Sequence, residues 1–164
     1  MAGVTDPGRW AYLAEGNAKQ ARKRVAADVL LRDDGGRVLL VNPTYKDFWD
    51  LPGGMAEANE SPSAAAEREV CEELGITVKA GRVLALEWAG PHGPWDDQLV
   101  FVFDAGTLAA DVAAGLRPAD DEVAELAFVT PEEARRRLRP DIAALVDRAL
   151  AALAGGGTDY TERR

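Results

Sequence analysis

The sequence predicts a single α/β domain built on a mixed β-sheet. Short alternating apolar segments joined by tight turns read as strands, and amphipathic helical segments lie between and after them. No internal repeat or interdomain linker divides the 164 residues. A chain of this length can bury one sizeable core. Its 47% apolar and 29% charged residues are the composition of a folded domain.

Residues 1–22 are polar and weakly patterned, and 1–23 are expected to form an N-terminal arm, with Trp10, Tyr12 and Leu13 able to dock on the body. Val25, Ala27, Val29 and Leu31 alternate as in a strand. Asp33-Asp34-Gly35-Gly36 is turn chemistry, and Arg37 to Val41 reads as the second strand of a hairpin. The loop from Asn42 to Trp49 runs into Leu51-Pro52-Gly53-Gly54. Ser61 suits an N-cap and Pro62 the first helical position; the helix runs to about Leu74 with Gly75 as its C-terminal cap. Strands are expected over 82–88, 98–104 and 124–129, with a turn-rich loop over 89–97 and one short helix within 105–119. Thr130 and Glu133 stand at capping-box spacing, Pro140 interrupts, and Ile142, Leu145, Val146, Ala149 and Leu153 line one helix face. Gly155-Gly156-Gly157 ends that helix, which makes 24–154 the domain and 155–164 a C-terminal tail.

Charge narrows the function. There are 19 Lys plus Arg against 28 Asp plus Glu, a net charge of −9. Nucleic-acid and membrane-surface binders need basic patches to meet phosphates, so no dedicated surface of either kind is expected. An anionic substrate would need a metal ion or a local cluster of Arg and Lys. One cysteine, Cys71, excludes an internal disulfide framework. No apolar run approaches the ~18 residues of a membrane span, and the N-terminal residues lack a basic-then-apolar leader pattern. The expectation is a cytoplasmic protein.

The informative stretch is Arg68-Glu69-Val70-Cys71-Glu72-Glu73. On a helix, Glu69, Glu72 and Glu73 fall at i, i+3 and i+4, with Cβ atoms about 5–6 Å apart. Like charges so placed cost roughly 0.2–0.5 kcal/mol per pair. A hard divalent cation reverses that sign, because it takes oxygen ligands. The alternative is a solvated acidic face with Arg68 and Glu72 as an i,i+4 pair.

Gly54, five residues, Glu60, seven residues, then Arg68-Glu69-Val70-Cys71-Glu72-Glu73-Leu74-Gly75-Ile76 resembles the Nudix box. Every fixed position of that motif is filled. The resemblance implies an α/β/α sandwich whose loop–helix–loop binds Mg2+, or Mn2+, and a diphosphate. It implies hydrolysis of a nucleoside diphosphate linked to another group, and a nucleotide-type small-molecule substrate. Glu69, Glu72 and Glu73 would ligate metal, with Glu69 serving in some members as general base. Arg68 would orient a carboxylate, Glu60 would support the site, and Gly54 would let the backbone pass close to the metal. A further ligand is expected from Glu122, although Asp120, Asp121 and Glu122 also read as an acidic surface turn.

Outside the box, Tyr45 could stack on a base and Lys46 could meet phosphate, while Trp88 and Trp95 flank the loop 89–97, which could form a lid over the leaving group, with Trp95 a substrate-binding candidate. Trp49 reads as core, His92 as a solvated loop residue and Cys71 as helix packing. Pro91 stands fifteen residues after Ile76, the offset of a proline in family members acting on ADP-ribose. This resemblance points to ADP-ribose or a nucleotide sugar. Such members often form swapped dimers through a long N-terminal region; here about 23 residues precede the first strand, and a homodimer stays open. The competing readings are a Nudix-fold sensor that binds a nucleotide without cleaving it, and an unrelated acidic interaction domain.

Overall fold

A computed structural model describes residues 6–164. Its elements are α1 (Pro7–Ala18), β1 (Arg24–Arg32), β2 (Val38–Pro43), β3 (Gly53–Met55), α2 (Pro62–Leu74), β4 (Val83–Ala89), β5 (Gln98–Thr107), α3 (Ala110–Gly115), β6 (Val123–Val129), α4 (Pro131–Arg137), α5 (Pro140–Gly155) and β7 (Asp159–Arg163). Seven strands form one sheet in the order β6-β2-β1-β5-β4-β7, with β3 pairing β1 off that path. β1 runs parallel to β5 and β4 parallel to β7, whereas the other pairings are antiparallel, so the sheet is mixed.

Strand alternation makes two cores. Ala27, Val29 and Leu31 of β1 face Ala65, Ala66, Val70 and Leu74 of α2. Ala26 and Leu30 face the other way, toward Ala143, Leu145, Val146 and Ala149 of α5. A strand's period of two supplies both faces, and a helix covers each. Trp49 is half-buried and packs on the α5 side, as expected.

The caps form where the residue types require. Ser61 Oγ accepts the Ala64 N–H at 3.2 Å, and Gly75 closes α2 in the left-handed region, its N–H bonding the Cys71 carbonyl. Thr130 caps α4 through the Glu133 N–H at 3.2 Å.

Four expectations are corrected. Residues 7–18 of the arm form a helix, started by Asp6 and Pro7. It buries none of its side chains, and Trp10, Tyr12 and Leu13 are exposed rather than docked. An N-cap followed by helix formers suffices locally, and no apolar stripe announces it. Residues 1–5 of the arm lie outside the described residues. The segment 155–164 is no free tail, because β7 pairs with β4 along its whole length. Its residues are polar and held by charge, as where Arg148 Nε lies 3.0 Å from Asp159, so hydropathy could not reveal it. β3 adds a strand that the sequence pattern hides behind two glycines. Cys71 is exposed on α2 and packs no core. Among the described residues no helix is long and apolar enough to cross a membrane.

Candidate active site

A cleft of about 570 Å³ opens on the α5 side of the sheet. The fold brings seven of the expected residues to it: Tyr45, Lys46, Gly54, Glu69, Glu73, Trp95 and Glu122. Glu60, Arg68 and Glu72 stand behind this surface, and Pro91 is exposed and also outside the lining. His92 is exposed as expected, yet it borders the cleft with Nδ1 3.0 Å from the Gly90 carbonyl.

Two glycines let α2 reach a cleft on the far side of the sheet. A Cβ on Gly53, whose φ is +143°, would lie 2.4 Å from the Ala27 carbonyl oxygen and 2.5 Å from an Asp28 carboxylate oxygen. One on Gly54 would lie 2.5 Å from the Glu69 carboxyl carbon. The loop is therefore threaded between Asp28 and Glu69, and only a bare backbone fits.

Arg68 is a hub. It bonds Glu60 through Nε at 2.9 Å and Nη2 at 3.0 Å, and the Met55 carbonyl at 3.1 Å. Its Nη1 reaches Glu69 at 2.9 Å and Glu72 at 3.2 Å. The bidentate bond to Arg68, aided by the Glu57 N–H, holds the Glu60 carboxyl below the usual range. Arg68 thus ties Glu60, Glu69 and Glu72 into one network.

Inside the cleft the balance reverses. Glu73 is 6% exposed and accepts one hydrogen bond, from the Gly53 N–H at 3.0 Å. Burial pushes its pKa up to about 8; the Gly53 N–H opposes this, and Glu69, Asp120 and Asp50 add to it. Burial likewise raises Glu69 against the pull of Arg68, with Glu72 and Glu122 adding repulsion. Asp28 is pushed well above the carboxylate range by burial and then by Asp50, with Lys46 opposing. Lys46 is desolvated, yet Asp50 at 2.9 Å more than compensates and raises it.

Among the described residues no three His, Cys or carboxylate side chains converge as a ready metal site. Glu69 and Glu72 turn to Arg68, and Glu73 turns to Gly53. The donor chemistry nevertheless fits a hard divalent cation: oxygen ligands only, Glu73 and in part Glu69 desolvated, and the group crowded by like charge.

Sequence reasoning missed Asp28, Asp50, Glu87, Arg24, Arg139 and Arg163, all of which line the cleft. A signal existed for Asp28 and Glu87, since each is a lone carboxylate within an otherwise apolar strand run. None existed for Arg163, which arrives on an unexpected strand.

Comparisons with known proteins agree with this architecture. The NUDIX domain model matches residues 22–149. A MutT-like protein of Streptomyces ambofaciens is 30% identical over 131 residues, covering 80% of this chain and 77% of that protein. Diphosphoinositol polyphosphate phosphohydrolase 2 of Rattus norvegicus is 42% identical over 66 residues, 40% of this chain, and the match spans only 37% of that relative. The crystal structure of a MutT protein from Methanosarcina mazei Go1 shares the fold, with a TM-score of 0.64 at 24% identity over 84% of this chain and 99% of that one. With the domain model matched across most of its length and the box intact from Gly54 to Ile76, the chain belongs to the Nudix hydrolase family.

Proposed function

We propose that this protein hydrolyses a diphosphate linkage in a nucleoside diphosphate derivative, using Mg2+ or in its place Mn2+. One observation carries the reading: Asp28, Glu69 and Glu73 crowd one part of the cleft where burial resists their ionisation. A cation that replaces the protons would relieve that resistance.

Glu69, Glu72, Glu73 and Glu122 would hold the metal. When bound, the metal would neutralise diphosphate charge and lower the pKa of an attacking water. The chain's own residues do the rest. Arg68 keeps Glu69 and Glu72 within one hydrogen-bond network, so their carboxylates are pre-positioned. The Gly53 N–H fixes Glu73. In the alternative role, off the metal, Glu69 at the cleft surface with a raised pKa would take a proton from water. Lys46, held by Asp50, stands ready for a phosphate oxygen. Tyr45 and Trp95, 63% and 56% exposed on the cleft rim, offer ring faces to a base.

ADP-ribose and nucleotide sugars are the proposed substrates, a choice resting on the Pro91 offset and the size of the cleft. The test is a panel of nucleoside diphosphate derivatives incubated with Mg2+ or Mn2+, with products identified by mass. Cleavage within the diphosphate, abolished by EDTA, is expected. Failure to cleave any member with either metal would overturn the reading.

A further inference from the structure

The cleft carries both signs of charge. Asp28, Asp50, Glu69, Glu73, Glu87 and Glu122 line it, and with them stand the cations Lys46, Arg24, Arg139 and Arg163. In a chain of net charge −9, the second group runs against the background.

The sheet register explains how the arginines meet. Arg24 of β1 pairs with Gln98 of β5, Gln98 with Ala89 of β4, and Ala89 with Arg163 of β7. These four residues form one row across four adjacent strands. Paired positions share a face, so the two arginines stand at the ends of the row, with Gln98 and the small side chain of Ala89 between them. Asp28 lies four residues along β1, roughly 13 Å at 3.3 Å per residue.

Both arginines are preorganised. Arg24 donates to the Asp96 carbonyl at 2.9 Å and to Gln98 Oε1 at 2.7 Å, and its guanidinium sits 4.8 Å from the Trp95 ring centroid. Among the described residues no carboxylate pairs with it. Arg163 anchors Nε on the buried Glu87 at 3.0 Å and turns Nη2 toward Asp141 at 3.5 Å, and its side chain remains 40% exposed. Glu87 is also held by Arg148 at 2.7 Å, so two guanidiniums offset its charge. The Arg163 carbonyl accepts the Gly90 N–H at 2.8 Å, tying the strand to the loop that carries Trp95. Arg139 is taken up by Asp141 and by the Phe48 ring.

We propose that the Arg24–Gln98–Ala89–Arg163 row is an anion subsite for a phosphoryl group remote from the scissile diphosphate. Arg24 and Arg163 are then specificity-determining residues, and β7 is a wall of the substrate site. The inference rests on the hydrolase reading and goes beyond the substrates proposed above: among nucleoside diphosphate derivatives, those that carry a further phosphoryl group are favoured. A fixed guanidinium fork on each side suits phosphate oxygens.

The test compares pairs that differ by one phosphoryl group: NADH with NADPH, and 3′-dephospho-coenzyme A with coenzyme A. In Mg2+, wild type is expected to favour the phosphorylated member of at least one pair by about tenfold or more in kcat/KM, as charge-assisted hydrogen bonds allow. Arg163→Ala and Arg24→Ala should each bring that ratio toward one, with Arg163→Lys between. A merely structural role would scale both members alike and leave the ratio unchanged. If Arg163→Ala does not fold, Arg24→Ala reads the same ratio. Calorimetric titration with 5′-AMP and with adenosine 2′,5′- and 3′,5′-bisphosphate needs no turnover, and a tenfold preference for a bisphosphate, lost in the variants, is expected. Should none of these four compounds be cleaved, the hydrolase reading is decided by the wider panel, and the titration still decides the subsite. Ratios near one in both pairs with equal affinities, or ratios indifferent to the variants, would overturn the proposal.

Discussion

Asp33 and Glu73 are buried to nearly the same degree, 3% and 6% exposed, yet their carboxyls shift in opposite directions. Burial alone would raise both. Asp33, in the turn between β1 and β2, accepts the Arg37 N–H at 2.8 Å and Arg37 Nε at 2.7 Å, and these donors bring it below its ordinary value. Glu73 has one backbone N–H and three carboxylate neighbours, and it rises to about 8. The difference lies in the donors supplied and in depth, since Asp33 sits in a surface turn whereas Glu73 is surrounded by packed groups. Asp33 comes with its counter-charge, whereas Glu73 is left short of one, as the proposed role of metal ligand requires.

The contrast is sharpest in activity. Glu73→Gln is nearly isosteric and removes one charge from the crowded carboxylates, so kcat should fall by about two orders of magnitude or more while the fold survives. Glu72→Gln should fall by the same order at saturating Mg2+. Near-wild-type turnover in both would refute the ligand assignment.

Asp33→Ala should show the reverse pattern. It leaves Arg37 without its partner and the turn without its acceptor, and should cost about 1.5–3 kcal/mol of stability with kcat unchanged. Chemical denaturation and steady-state kinetics on the same preparation check it. A loss of activity in the folded variant would break the division between the two carboxylates.

The pH dependence follows from the direction in which Glu73 is displaced. Its folded pKa of about 8 lies above its ordinary 4.5, so the folded state holds a proton that the unfolded state has released. The stability linked to that proton is full below about pH 4.5 and is lost as pH rises toward 8. Each pH unit between the two values is worth about 1.4 kcal/mol. In EDTA, wild type should therefore weaken between pH 5 and 8, and Glu73→Gln should weaken less. Parallel stability curves for the two proteins would contradict this.

The smallest expected effects concern selectivity. Tyr45→Ala and Trp95→Ala should reorder kcat/KM across substrates by about 0.5–1.5 kcal/mol, because aromatic contacts are worth that much beyond burial. If both variants scale every substrate equally, the two loops hold shape and do not choose substrate.

The helix of the box is legible from end to end, because Ser61, Pro62 and Gly75 are local signals that need no tertiary context. The alternation in β1 is equally plain. The cleft's other half is not. Asp28 and Glu87 sit singly in apolar strands, and only the register shows that they face one cavity. β7 is polar throughout and is held by pairing and ion pairs, which leave no periodic trace. Cys71 reads inward from its neighbours on α2, although the helix rotates it outward. Local chemistry is written in short segments, whereas what faces what across a sheet is fixed by pairing partners distant in sequence.

The central claim is that Glu73 and its neighbours are under-compensated without metal and are relieved by it. Thermal melting of wild type and Glu73→Gln at pH 8, in EDTA and in millimolar Mg2+, tests this most directly. A cation that binds only the folded state adds about 2.7 kcal/mol at a hundredfold excess over its Kd. The account predicts that Mg2+ raises the Tm of wild type, that Glu73→Gln melts higher than wild type in EDTA, and that Mg2+ then adds little. A variant that melts lower in EDTA and gains the wild-type increment from Mg2+ would contradict it.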